Sequence, residues 1–128
     1  MNIKHIDHIN IAAPEALLDK VLHFYVSILG LKVGNRPDFS RPGYWLYAAD
    51  KPVVHLIENA EKQPCENSCL DHFAFRATGL NATKAWLEAN NVKYRQAKVE
   101  ALQQTQLFLT DPAGNGVELS FLAEPEQI

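Results

Sequence analysis

Asp7-His8-Ile9-Asn10-Ile11-Ala12 and Asp71-His72-Phe73-Ala74-Phe75 decide the fold of this chain. Each opens on the same Asp-His pair and then alternates side chains in the manner of a β-strand, whose successive residues face opposite sides. Two such openings 64 residues apart point to an internal repeat, and further matches support it. Trp45-Leu46-Tyr47 matches Gln106-Leu107-Phe108, and Val54-His55-Leu56 matches Val117-Glu118-Leu119. The small drift in spacing between these matches fits loops of unequal length.

Working outward from these anchors, Ile6 to Ala12 reads as a strand and Pro14 suits a first helical turn. Leu18, Val21, Leu22, Tyr25, Ile28 and Leu29 recur at helical spacing up to Gly30. Leu31 to Val33 begins a strand, Asn35 to Gly43 is a loop, and Tyr44 to Ala48 and Val53 to Glu58 are strands around a turn at Asp50, Lys51 and Pro52. A polar linker, 59–68, follows. The second half repeats the order: a strand over Leu70 to Ala77, a helix from Leu80 to Asn90, a short strand near Val92 to Arg95, and strands over Gln106 to Thr110 and Val117 to Leu122. The expected architecture is a single α+β domain of two βαβββ modules, about 1–58 and 70–123.

Composition agrees with one globular domain: 128 residues, 47% hydrophobic and 21% charged. A net charge of −3 without a run of Lys or Arg gives no phosphate-binding stripe, so nucleic acid is not an expected partner. No apolar stretch is long enough to span a membrane, and the N-terminus has no signal-peptide core. The expected location is the cytoplasm. Cys65 and Cys69 then read as reduced thiols. A zinc site using both and a histidine is the weaker alternative, since structural zinc prefers four ligands in tighter pairs.

Strand parity separates two faces. Ile9, Ile11, Phe73, Phe75, Val54, Leu56, Val117, Leu119 and Phe121 form an apolar face suited to lie beneath the helices. The other face carries His8, His55, His72 and Glu118, each on the first or last strand of a half and at matching repeat positions. If the halves pack about a pseudo-twofold axis, all four converge. Imidazole plus carboxylate suits Zn, Ni, Mn or Fe(II). A lone His or Glu on a strand is usually structural; four at symmetric positions make metal binding the better reading. His5 and His23 lie off this pattern and read as structural or surface residues. Trp45, Tyr47 and Phe108 share the ligand face and are candidate walls of a substrate cavity, with core packing as the alternative. Arg76 on the His72 face could hold a carboxylate or phosphate, or simply be a solvated strand end. Arg36 and Arg41 lie in a loop that could close over a ligand.

The segments Asp7 to Ala12, Phe24-Tyr-Val-Ser-Ile-Leu-Gly-Leu31, Leu70 to Phe75 and Asp111-Pro-Ala-Gly-Asn-Gly-Val-Glu-Leu119 together resemble the vicinal oxygen chelate superfamily. That group includes glyoxalase I, extradiol dioxygenases, fosfomycin-resistance proteins, methylmalonyl-CoA epimerase and bleomycin-resistance proteins. The resemblance implies a curved mixed sheet around a central cavity and one divalent metal on His8, His72 and Glu118. Glyoxalase I has a Glu where this chain has His55, so His55 is a fourth ligand of altered chemical type. The implied activity is a metal-dependent lyase or isomerase acting on the vicinal oxygens of a small organic substrate, with Glu118 or His55 as base. An Fe(II) extradiol-type dioxygenase and a non-catalytic binding or resistance protein are the alternatives. Relatives of this size usually form homodimers.

Overall fold

The computed structural model describes residues 1–64 and 68–123. The chain divides into two compact units, Met1–Pro64 and Cys65–Ile128, each built on one four-stranded mixed sheet. In the first unit β1 (Ile9–Ala13) leads into α1 (Glu15–His23), then β2 (Lys32–Gly34), β3 (Gly43–Ala48) and β4 (Lys51–Glu58). The second unit repeats this with β5 (His72–Ala77), α2 (Leu80–Ala89), β6 (Arg95–Val99), β7 (Gln104–Thr110) and β8 (Gly116–Leu122). The strand orders are β1-β4-β3-β2 and β5-β8-β7-β6, so the duplication read from the letters is a duplication of topology. In each sheet the first strand runs parallel to the last, and the remaining pairs are antiparallel.

Register explains the two faces. Directly paired residues share a face, and Ile9 pairs with Val54, Ile11 with Leu56 and Leu46 with Val54. Ile11, Leu46, Val54 and Leu56 are all buried, and α1, which packs on β1 and β4, buries Leu18 and Val21. Removing these side chains from water supplies the main stabilisation of the unit. The second sheet follows suit: Phe73 pairs with Val117, Phe75 with Leu119, and Leu107 with Leu119. Leu107, Leu109, Val117, Leu119 and Phe121 are buried.

Helix and strand ends depart from the sequence expectation where backbone hydrogen bonding decides. The first helix continues past His23 as a π-helical turn, Phe24–Ile28, closed by a bond from Leu29 N–H to the Phe24 carbonyl. This turn buries two successive aromatics, Phe24 and Tyr25. The strand expected at Val92 to Arg95 lies further on, at Arg95–Val99. Val92 is taken up in closing α2, where its N–H bonds the Leu87 carbonyl and that of Asn91 bonds Glu88. Asn91 adopts φ +56° there, the Schellman arrangement with Asn in place of the usual glycine. The β3–β4 turn falls on Ala49 and Asp50, so β4 already begins at Lys51. The β7–β8 turn is held by the buried Asp111, whose Oδ1 accepts from the N–H groups of Ala113 and Asn115. Among the described residues no helix is long and apolar enough to cross a membrane.

Candidate functional site

The start of each parallel opening strand is where the chemistry begins. His8 directly precedes β1, and His72 is the first residue of β5. Each donates Nδ1–H to the carboxylate of the aspartate before it, Asp7 or Asp71, at 2.7 Å in both cases. A carboxylate on Nδ1 fixes the tautomer, leaves the Nε2 lone pair for a ligand and makes the ring a stronger donor. The sequence shows both aspartates as part of the repeat, but it gives no sign that they orient the histidines.

In the first unit His55, on β4, pairs in register with Asn10 on one side and Trp45 on the other. It is 8% exposed. Its ring lies between two others in a parallel stack: 3.8 Å and 12° to His8, 4.2 Å and 11° to Trp45. His55 Nε2–H donates to the Pro52 carbonyl at 3.0 Å, which leaves Nδ1 as the acceptor nitrogen. Burial, and next the neighbouring His8, hold its pKa below the ordinary histidine value, so its neutral form is favoured. Stacked rings hold their in-plane lone pairs in separate parallel planes, so sharing one ion in good geometry requires one ring to tilt.

In the second unit Glu118, on β8, is 5% exposed. Its Oε1 lies 3.3 Å from His72 Nε2 and accepts from Gln106 Nε2 at 3.1 Å. Gly116 lets β5 and β8 close at this point, because a Cβ there would stand 2.3 Å from the Asp71 carbonyl oxygen. Phe108 meets His72 edge to face at 5.4 Å and carries the Arg95 guanidinium 4.5 Å above its ring. Arg76 is exposed and donates to Ser120 Oγ at 3.0 Å.

The four expected donors therefore occur as two pairs, His8 with His55 and His72 with Glu118. Among the described residues no group of three His, Cys, Asp or Glu side chains is gathered. The His72–Glu118 pair still suits a metal. His72 has a carboxylate on each ring nitrogen, so with Nδ1–H given to Asp71 the Nε2 lone pair faces a Glu118 oxygen unless a cation stands between them. A proton or a divalent ion meets that need.

Trp45 lines a cavity of about 510 Å3 in the first unit with His8, His55, Arg36, Phe39 and Arg41. Tyr47 shares the face, but its ring lies over Gly34 and its hydroxyl donates to the Asn35 carbonyl at 2.6 Å. Sequence reasoning gave no role to Asp7, Asp71, Arg95 or Phe39; the repeated Asp-His pair could have signalled the first two, while the match of Gln106 to Trp45 already set Gln106 on the ligand face. His5 and His23 are exposed, as is Cys69, a free thiol. Cys65, and with it the alternative zinc reading, lies outside the described residues.

The duplicated βαβββ architecture and the paired imidazole and carboxylate donors define a class of protein that comparison identifies directly. The model of the Glyoxalase/Bleomycin resistance protein/Dioxygenase superfamily matches residues 5–119, and the chain belongs to that superfamily. A Bacillus anthracis structure described as of the glyoxalase family is similar over 95% of this chain and 98% of its own, with TM-score 0.77 and 21% identity. Lactoylglutathione lyase from Agrobacterium tumefaciens is similar over 94% and 95%, with TM-score 0.66 and 18% identity. TnmS3, an antibiotic-binding protein from Streptomyces sp. CB03234, is similar over 95% and 98%, with TM-score 0.66 and 18% identity. Among curated proteins no sequence match is found.

Proposed function

We propose that the chain is a divalent-metal-dependent enzyme acting on vicinal oxygens of a small organic substrate, as a glyoxalase-type lyase or isomerase. The observation that carries this is His72, held by Asp71 at one nitrogen and facing the buried Glu118 carboxylate with the other. His8, His72 and Glu118 are the proposed ligands, with His55 as a fourth; Zn, Ni, Mn and Fe(II) all suit such donors. The bound ion supplies Lewis acidity toward a substrate oxygen.

The protein's own groups supply proton transfer. Where the ion leaves His55 free, its Nδ1 is an acceptor on a ring whose neutral form burial favours, which suits it to take a proton and return it. Glu118 is the second candidate base, held in place by the Gln106 amide. Trp45 and Phe108 bound the donor pairs with aromatic surface, and Arg76 is the outlying cation of the second pair. Relatives of this size usually pair two chains, so a homodimer is the proposed assembly, and light scattering reads it directly.

Metal analysis after dialysis, followed by titration calorimetry of wild type and His72→Ala, tests the reading. Stoichiometric metal that is lost in the variant supports it. Protein that takes up no divalent metal, or a variant that binds as well as wild type, refutes it. Oxygen uptake by the iron form would move the assignment to an extradiol-type dioxygenase. The aromatic and cationic cavity also favours a second reading, a non-catalytic small-molecule binding or resistance protein like the antibiotic-binding relative. Tight ligand binding with no product under any metal would select it.

A further inference from the structure

The cavity in the first unit is built asymmetrically. One wall is the face-to-face stack of His8, His55 and Trp45, with Trp45 at its end, and the exposed Phe39 stands beside Trp45 with its ring 6.2 Å away at 46°. The loop between β2 and β3 brings two guanidinium groups, Arg36 and Arg41, to the same space. Asp7 is the single carboxylate in the lining, and it is already engaged by His8.

Arg36 is the informative residue. It lies over the Phe39 ring at 4.9 Å, and its Nη2 donates to the Arg41 carbonyl at 3.0 Å. Its Nε is buried and has no hydrogen-bond partner, and among the described residues no carboxylate pairs with it. Space for this guanidinium is reserved by Gly43, where a Cβ would stand 2.9 Å from Nη2. An arginine held in place at the cavity wall with no carboxylate of the described residues paired to it leaves its charge for an anion that the protein does not supply.

We propose that this cavity binds a planar aromatic anion, the ring stacked on the outer face of Trp45, the end ring of the His8–His55–Trp45 stack, and a carboxylate or similar oxyanion received by Arg36. The volume of about 510 Å3 suits a molecule of one or two rings. Ring stacking and a charge-assisted hydrogen bond are independent contributions, so they separate experimentally. The proposal rests on the reading of the His8–His55 face as the substrate face, and it names the substrate class; it needs no metal.

The test uses metal-stripped protein in EDTA with Trp86→Phe, which leaves Trp45 as the one tryptophan of the chain. Quenching of its fluorescence is titrated with 4-nitrobenzoate and with its neutral isostere 4-nitrobenzamide. The expected result is saturable quenching with the acid bound about tenfold or more tightly than the amide, the range of a charge-assisted hydrogen bond. Arg36→Gln should erase that preference while leaving amide binding in place, and Arg36→Lys should keep part of it. Equal affinity for acid and amide in the parent protein, undiminished preference in Arg36→Gln, or no saturable quenching would each overturn the proposal. Because the metal is absent, a protein that failed every metal test could still pass this one, and a metalloprotein could fail it.

Discussion

Glu118→Gln is predicted to do opposite things to the metal-free and the metal-loaded protein. The side chain is 5% exposed, its Oε1 accepts from Gln106, and His72 Nε2 lies 3.3 Å away. Gln fills the same volume, and its Oε1 still accepts the Gln106 amide. Removing one member of a buried ion pair usually costs several kcal/mol because the other charge is stranded. Here nothing is stranded: the His72 side chain is 35% exposed, so water can hydrogen-bond its Nε2. Metal-free stability should therefore change by no more than about 1 kcal/mol in either direction.

The loaded protein should behave differently. At metal one hundred times the dissociation constant, binding stabilises the folded state by about 2.7 kcal/mol. A variant weakened a hundredfold, at the same concentration, retains only about 0.4 kcal/mol. For a chain of this size 1 kcal/mol is roughly 3–5 °C in Tm, so the metal-induced rise should fall from about 10 °C to about 1–2 °C. Paired thermal melts in EDTA and in excess metal read both quantities. An unchanged metal-induced rise would show that Glu118 is no ligand. A metal-free loss of about 3 kcal/mol or more would show that it is a structural ion-pair partner instead.

The remaining predictions concern the residues around the donors. Asp71→Asn and Asp7→Asn should each weaken metal binding about 10- to 100-fold in calorimetry, because the ring loses the carboxylate that fixes its tautomer, while far-UV dichroism stays unchanged. Gly43→Ala places a Cβ 2.2 Å from the Leu56 carbonyl oxygen, so β3 must move; a loss of about 1–3 kcal/mol is expected in urea unfolding. His55 has a folded pKa below the ordinary 6.5, so the unfolded chain takes up its proton first as pH falls. Its contribution is fully present above pH 6.5 and is lost as pH drops through the folded value. Metal-stripped His55→Gln should accordingly show a flatter stability profile below pH 6.5.

The repeat and the two faces were legible because they rest on short-range rules. Alternation along Asp7 to Ala12 and Asp71 to Phe75 fixes which side chains share a face, and register then extends that face across the sheet. Element boundaries depend on hydrogen bonds that residue type alone does not announce. Asn91 in the left-handed conformation takes Val92 into the helix end, and the π-helical turn at Phe24 adds a residue to its loop of backbone. The site was legible as residue types, whereas the stacking of Trp45 on His55 and the unspent Nε of Arg36 are outcomes of packing. Arg36 comes from a loop seven residues short of Gly43, and no periodicity ties the two together.

Divergence between the two halves explains why membership of the superfamily leaves the reaction open. Trp45 and Gln106 occupy matching repeat positions, and each touches the donor on the neighbouring strand. In the second unit that donor is a carboxylate, and an amide holds it by a hydrogen bond. In the first unit it is an imidazole, and an indole holds it face to face. A carboxylate at position 55 would offer Trp45 no π surface, so His at this position and the aromatic stack go together. The imidazole at position 55 thus joins His8 and Trp45 in one face-to-face stack, whose end face is what a ligand in the cavity can meet. On the proposed reading, proton transfer and ligand recognition would be coupled through His55, because a ligand stacked on Trp45 changes the surroundings of the ring beneath it.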